Sequence, residues 1–183
     1  IETAGRTYIP EVRGWETIVQ HLAVAPSVSL ALGSVAGIGA ARVATSHYSV
    51  IVKDSAQMMI AGPALVDWAN LGEVSKEELG SSKIHTKNGA IDDEAESEAE
   101  AFELAKRFLS YLPSSADELP PLTDSEDDPD RTDDALISVV PKDPRQVYKM
   151  RSIIESVLDA GSFVEIGRRW GRSFTPGFGR SGG

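Results

Sequence analysis

Leu32-Gly33-Ser34-Val35-Ala36-Gly37-Ile38-Gly39-Ala40 is the stretch on which the fold turns. Ser27 to Leu32 leads into it as a short apolar run, expected to be a buried strand. Ala40 to Thr45 follows, and its small residues predict a helix that packs closely. A strand, a glycine-rich turn and a helix in succession admit three chemistries. Gly37-Ile-Gly39-Ala-Ala-Arg42 approaches the dinucleotide fingerprint, but Arg42 stands where the third glycine belongs. Neither Asp54 nor Asp67 is placed to hold a ribose. The second possibility is a tight turn whose glycines serve packing alone. The third is an oxyanion site, since N–H groups at a helix start lack partners and carry the positive end of the helix dipole. Those of Gly37 and Ile38 would then face a developing negative charge.

Further strands and helices lie on either side. Arg13-Gly14 signals a turn, and Trp15 to Ala25 carries apolar residues at helical spacing before Pro26 stops it. His47 to Lys53 predicts a second strand and Met58 to Ala61 a third. Gly62-Pro63 opens a helix, proline being at home in a first turn. Val74 to Leu79 predicts another, closed by Gly80. Asp92 to Leu112 predicts the longest helix, apolar along Ala101, Leu104, Ala105, Phe108 and Leu112. Residues 113–134 are acidic and proline-rich, as in an exposed connector. Asp143-Pro144-Arg-Gln146 predicts a helix start with Val147, Met150, Ile154 and Val157 on one face. Gly161 ends that helix and Ser162 to Ile166 alternates as a strand. Phe174 to Gly183 predicts a glycine-rich strand and turn. Repeated strand–turn–helix units give an α/β fold class with a parallel sheet.

The formal net charge of -10 over 183 residues argues against nucleic acid and against an anionic membrane surface. No apolar run approaches the ~20 residues that a spanning helix needs. The absence of cysteine removes disulfides, thiolate metal sites and cysteine nucleophiles. His21, His47 and His85 show no metal-ligand spacing, and the acids at 92–100 are expected on a solvated face, so the expected metal is none. Ser46 and His47 are adjacent and point to opposite faces of a strand, which rules them out as a nucleophile–base pair. The basic run Arg168-Arg169-Trp170-Gly-Arg172 suits a phosphate, a strand flank or a partner contact.

Four stretches, in order, resemble the carboxyltransferase β subunits of biotin-dependent acyl-CoA carboxylases. Leu32 to Ala40 is similar to that family's G-P-x-A-G-G-A turn. Val52-Lys-Asp-Ser-Ala-Gln with Ile60-Ala-Gly-Pro63 is similar to M-V-K-D … I-T-G-P. Glu73-Val-Ser-Lys-Glu-Glu-Leu-Gly80 with Ile84-His-Thr86 and Asn88-Gly89 is similar to E-x-V-T-x-E-E-L-G-G … T-H-T … S-G. Phe108-Leu-Ser-Tyr-Leu-Pro113, Tyr148-Lys-Met-Arg151, Asp159 and Phe163-Val-Glu165 complete the set. The chain departs from the pattern at Ser34, Ile38 and Ser81, where the family has proline, glycine and glycine.

The resemblance implies a crotonase-like spiral of ββα units and a fragment of a longer enzyme. Residues 1–112 would be the later part of an N-terminal carboxyltransferase domain. Residues 113–135 would be the connector, and 136–183 a peripheral helix and strand leading to a second, missing domain. The implied reaction moves a carboxyl group from carboxybiotin to the α carbon of an acyl-CoA through a thioester enolate. The implied oxyanion donors are Gly37 and Ile38, with Gly33, Ala36, Gly62, Pro63, Gly80 and His85 at the acyl-CoA. Biotin would arrive on a biotin carboxylase or carrier (α) subunit, and the assembly would be a homo-oligomer, a hexamer by family habit. The implied compartment is the bacterial cytoplasm or the mitochondrial matrix. A related biotin-dependent decarboxylase subunit and a non-catalytic acyl-CoA-binding or assembly module stand as alternatives. A hydratase or isomerase fits less well, because its glutamate bases have no counterpart in the chain.

Overall fold

The computed structural model describes residues 2–3, 6–7, 14–125, 127, 128 and 130–182. Arg13, half of the turn signalled before the first helix, lies outside them; Gly14 adopts a left-handed conformation (φ 79°) and caps that helix. Two short antiparallel strands, β1 (Glu2–Thr3) and β2 (Arg6–Thr7), precede α1 (Trp15–Val24).

The central unit is a coil of repeated strand–strand–helix turns. In the first, β3 (Val28–Ala31) and β4 (Ser34–Ala36) lead to α2 (Ile38–Thr45). In the second, β5 (Tyr48–Val52) and β6 (Gln57–Met59) lead to α3 (Pro63–Trp68), α4 (Lys76–Gly80) and α5 (Ser82–Asn88). The third begins with β7 (Asp93–Ala95), after which α6 (Glu98–Leu109) lies back across the sheet. The first strands of the three turns form one parallel sheet in the order β3-β5-β7, with Val28 opposite Tyr48 and Val52 opposite Ala95. The second strands pair separately, β4 parallel to β6, with Ser34 opposite Gln57 and Ala36 opposite Met59. This is the spiral expected from the resemblance.

All five residues of β5 are buried, as a central parallel strand covered on both faces must be. Ala101, Ala105 and Phe108 form the buried face of α6. The Phe108 ring stacks on Tyr48 with centroids 4.6 Å apart. Beyond the coil, α7 (Met150–Val157) and the antiparallel strands β8 (Val164–Glu165) and β9 (Gly177–Phe178) return to α6. There Phe178 meets Phe108 edge-on at 5.5 Å and stacks on Tyr111 at 5.8 Å.

Several expectations are corrected. The helix expected from Asp92 begins at Glu98, and Asp93–Ala95 is a strand. Its acids have partners in the sheet, for Asp92 accepts the Ser49 N–H and hydroxyl, both at 2.8 Å. The helix expected from Asp143 begins at Met150. The Asp143 carboxylate instead turns back onto the Arg145 N–H and guanidinium, at 3.0–3.1 Å, which favours a turn over a helix. The glycine turn contains a strand, β4, and α5 was not expected. Residues 113–134 hold no long element but are tied down locally. Ala116 N–H donates to Val24 at 2.8 Å, Ala160 N–H to Asp127 at 2.6 Å, and Ser156 to Asp133 at 2.6 Å.

One buried acid gives the fold a pH dependence of known sign. The Tyr48 hydroxyl donates to Asp93 at 2.9 Å. Burial raises the Asp93 pKa above its ordinary 3.8 despite that bond and one from the Gly167 N–H. Burial and the adjacent Asp93 also push Tyr48 far up, so it stays a donor. A raised folded-state pKa means that the folded protein holds this proton more tightly than the unfolded chain. The resulting stability is complete below pH 3.8 and is lost as pH rises through the folded value. Asp93→Asn, which never ionises, is therefore expected to gain stability relative to wild type between about pH 4 and pH 7. Urea unfolding of both proteins across that range checks this; a constant difference would show that the carboxylate ionises without penalty.

Candidate functional site

The glycine turn joins β4 to α2 and is closed by a bond across the small sheet. Gly37 N–H donates to the Met59 carbonyl at 3.1 Å, extending the β4–β6 ladder by one rung. Gly37 then takes φ 61° and ψ -126°, a backbone state open only to glycine, and the chain swings into α2. Gly39 sits against Val35, where a β-carbon would approach the Val35 methyl to 3.1 Å. The first bond back into the helix is Ala41 N–H to the Gly37 carbonyl at 3.1 Å. No side chain caps α2, so the Ile38 and Gly39 N–H groups have no acceptor among the described residues.

Gly37 and Ile38 were expected as the donor pair, but the Gly37 N–H is already held by Met59, as strand pairing requires at that register. The N–H groups of Ile38, Gly39 and Ala40 are without an acceptor among the described residues, and the first two are the adjacent pair nearest the turn. Ile38 keeps 46% of its surface exposed, and Ile60, next after Met59, keeps 78%.

The other expected site residues fall into two groups. Gly33 links β3 to β4, and Ala36 ends β4 opposite Met59. Gly62 caps α3, its carbonyl accepting Leu65 N–H at 3.0 Å, and Pro63 is the first helical residue. Ala36 adjoins the α2 start, Gly62 and Pro63 follow Met59 at the exit of β6, and Gly33 stands at the opposite end of β4. Gly80 and His85 instead converge on the backbone of Met58. A β-carbon on Gly80 would lie 2.8 Å from the Met58 carbonyl carbon and closer still to its oxygen. His85 Nε2 is 2.6 Å from that same oxygen. A carbonyl only accepts, so Nε2 carries the proton, and Nδ1 is buried with no partner among the described residues. Both residues thus support β6.

Sequence alone did not single out Met59 or Gln57. Gln57 is buried, accepts the Ser34 hydroxyl at 2.7 Å and donates to Glu77 at 3.2 Å, joining β4, β6 and α4. A glutamine inside the apolar run before Met58-Met59-Ile60 was the available signal. Ser46 and His47 cap local structure: Ser46 donates to the Val43 carbonyl at 2.7 Å, and His47 Nδ1 accepts the Ser27 N–H at 3.0 Å. Arg169 of the basic run pairs with Glu94 at 2.7 Å.

Residues 15–183 match the family model described as the carboxyl transferase domain. The chain belongs to the carboxyl transferase family. It is 34% identical over 156 residues to a propionyl-CoA carboxylase beta chain of Roseobacter denitrificans, covering 85% of this chain and 31% of that protein. It is 33% identical over 144 residues to the methylmalonyl-CoA decarboxylase subunit alpha of Veillonella parvula, covering 78% and 28%. Transcarboxylase 12S, solved as a hexamer with hydrolyzed methylmalonyl-coenzyme A bound, superposes with a TM-score of 0.83 at 26% identity, over 90% of this chain and 32% of the other. This carboxyl transferase chain has the crotonase-like fold and spans about a third of the length of these relatives.

Gly80→Ala is expected to cost about 3 kcal/mol of unfolding free energy, because the new methyl meets backbone that cannot step aside. Chemical unfolding should show a lowered midpoint with unchanged slope. A midpoint within error of wild type would mean that β6 yields at Met58.

Proposed function

We propose that this chain supplies the acyl-CoA half of a carboxyltransfer centre, and that the α2 mouth receives the thioester oxygen. The observation that carries this is the pair of open N–H groups, Ile38 and Gly39, at a glycine-shaped helix start. Removal of the α proton moves negative charge onto the thioester oxygen. Two fixed donors and the positive end of α2 stabilise that charge where it forms, without reorganisation. Gly33, Ala36, Gly62 and Pro63 are proposed to position the acyl-CoA. Gly80 and His85 act at one remove, by fixing β6 and hence Met59.

Carboxybiotin, delivered by a biotin carboxylase or carrier subunit, would supply the carboxyl group. The donors described here fit one oxyanion, and biotin's own carbonyl would need a second set. We assign that set to the part of the relatives that this chain does not match, and derive no step through it. Residues 1–112 are accordingly proposed as part of a first carboxyltransferase domain, 113–135 as a connector and 136–183 as the approach to a second. A homo-oligomer, hexameric as in transcarboxylase 12S, would bring the halves together. Among the described residues no helix is long and apolar enough to cross a membrane. The proposed compartment, by the habit of the relatives, is bacterial cytoplasm or mitochondrial matrix. Decarboxylation by a similar subunit is the second possibility, favoured by the Veillonella relative.

The test is carboxyl transfer from a short carboxylated acyl-CoA to free biotin, catalysed by the full-length polypeptide as it occurs in its source. Gly37→Ala is expected to lower kcat by about 10²-fold, since alanine cannot hold the turn that exposes the donors. Robust wild-type transfer unchanged in the variant would displace the oxyanion site from α2. No transfer with any acyl-CoA would remove the carboxyltransferase assignment.

A further inference from the structure

The basic run Arg168-Arg169-Trp170-Gly171-Arg172 has no part in the proposed reaction, and the fold gives it a fixed, outward form. Two tight turns build the loop. Trp170 N–H donates to the Gly167 carbonyl at 3.0 Å and Phe174 N–H to the Gly171 carbonyl at 2.8 Å, and both glycines are left-handed, with φ 67° and 60°. The Trp170 ring lies against Gly89, where a β-carbon would come within 2.9 Å of it. Arg169 anchors the loop on the buried Glu94 at 2.7 Å. Two cations are left over. Glu165 already holds Arg151 in a two-pronged pair, and Arg168 stands 3.8 Å from it. Arg172 has neither an acceptor nor an ion pair among the described residues. Beside them Trp170 and Phe174 keep 58% and 78% of their surface exposed. Arginine and large aromatic side chains on a rigid loop are the composition of an interface centre.

The opposite charge stands elsewhere on the same chain. Residues 124–134 hold seven acids and a single base, Arg131, which pairs with Asp127. Asp124 and Asp130 are exposed and meet no cation among the described residues. Leu119 and Leu122 precede them, each 89% exposed. The two patches do not meet within one chain. The acids border the side of α7 that carries Ser156, and Arg168 borders the side that carries Arg151 and Glu155. One copy thus shows a basic aromatic patch and an acidic apolar patch on different sides, a pair that joins copies head to tail. We propose that the 167–174 loop of one copy docks on the 119–134 segment of the next, Arg168 and Arg172 meeting its free carboxylates and Trp170 and Phe174 its leucines. The inference rests on the homo-oligomer proposed above and names one of its contacts.

The test is sedimentation of the full-length polypeptide as wild type, as Arg172→Glu, as the double variant Asp124→Lys and Asp130→Lys, and as all three changes combined. Wild type is expected to assemble, with a dissociation constant that rises about tenfold or more between about 50 and 500 mM KCl as the charges are screened. At the lower salt Arg172→Glu and the double acid variant should each raise that constant about tenfold, and the combination, which restores opposite charges with their signs exchanged, should return it to within about threefold of wild type. If Arg172→Glu fails to fold, Arg172→Gln, which removes the charge alone, must weaken assembly in the same direction. Assembly unchanged in both charge variants, or a combination that does not recover, would overturn the docking while leaving the homo-oligomer intact. Binding of inorganic phosphate that Arg172→Glu abolishes while assembly persists would give the loop to a small anion and overturn it too. A wild type that stays monomeric at every concentration would overturn the homo-oligomer and the inference with it.

Discussion

The bond from Gly37 N–H to the Met59 carbonyl is the constraint on which the candidate site depends. It does two things at once. It completes the β4–β6 pairing, and it fixes the point at which the chain leaves the sheet for α2. Because the backbone there has φ 61°, the exit is sharp, and the next two N–H groups are left without an acceptor among the described residues. Strand pairing and donor exposure are therefore one event. Had the Gly37 N–H been free, the turn would have lacked an anchor, and the donors would have had no fixed direction.

Met59 can serve as an anchor only if β6 is rigid. Its support comes from several sides. α4 presses its last residue, Gly80, against the Met58 backbone with no room for a side chain. α5 sends His85 to the Met58 carbonyl. Gln57 stitches β6 to Ser34 on β4 and to Glu77 on α4. Buried polar groups of this kind are costly when unpaired and specific when paired, so the network favours one register of the small sheet. Ser34 matters here for a reason peculiar to this chain. A proline, which the family resemblance leads one to expect, has no hydroxyl to offer Gln57.

How much of this was legible follows from which forces speak locally. β5 was readable because a strand buried on both faces is simply apolar. The start of α3 was readable because Pro63 has few other uses. The α2 mouth was located from its glycines and from the resemblance. The bond that holds Gly37 was not readable, because it depends on Met59, which becomes a neighbour only through strand pairing. β7 was hidden for a different reason. Asp93 and Glu94 look like a solvated helix face until Tyr48 and Arg169 are brought to them by the fold. α5 has too few apolar residues to show a periodicity, yet Thr86 within it is fully buried and bonded to the Ser82 carbonyl at 2.7 Å. Asp143 misled because the same side chain that caps a helix also closes a turn.

The acid-rich composition conceals a division of labour. Many carboxylates are solvated, but Glu94 and Glu165 each keep only 5% of their side chains exposed. Each faces an arginine from the C-terminal third of the chain: Arg169 at Glu94, and Arg151 in a two-pronged pair at Glu165. A buried carboxylate depends on its cation, even though both arginines keep part of their surface in water. Arg180 adds a second kind of attachment. Its guanidinium lies 4.7 Å over the Tyr111 ring and bonds the carbonyls of Ser110 and Pro121 at 2.7 and 2.9 Å. Together with Phe178 against Phe108, these contacts make the C-terminal strands a wall of the domain. Loosening that wall would expose the carboxylates and open the aromatic stack that rests on Tyr48. Tyr48 begins β5, the strand whose continuation, β6, carries Met59. The C-terminal segment thus packs on the same core from which β5 runs on toward β6 and Met59.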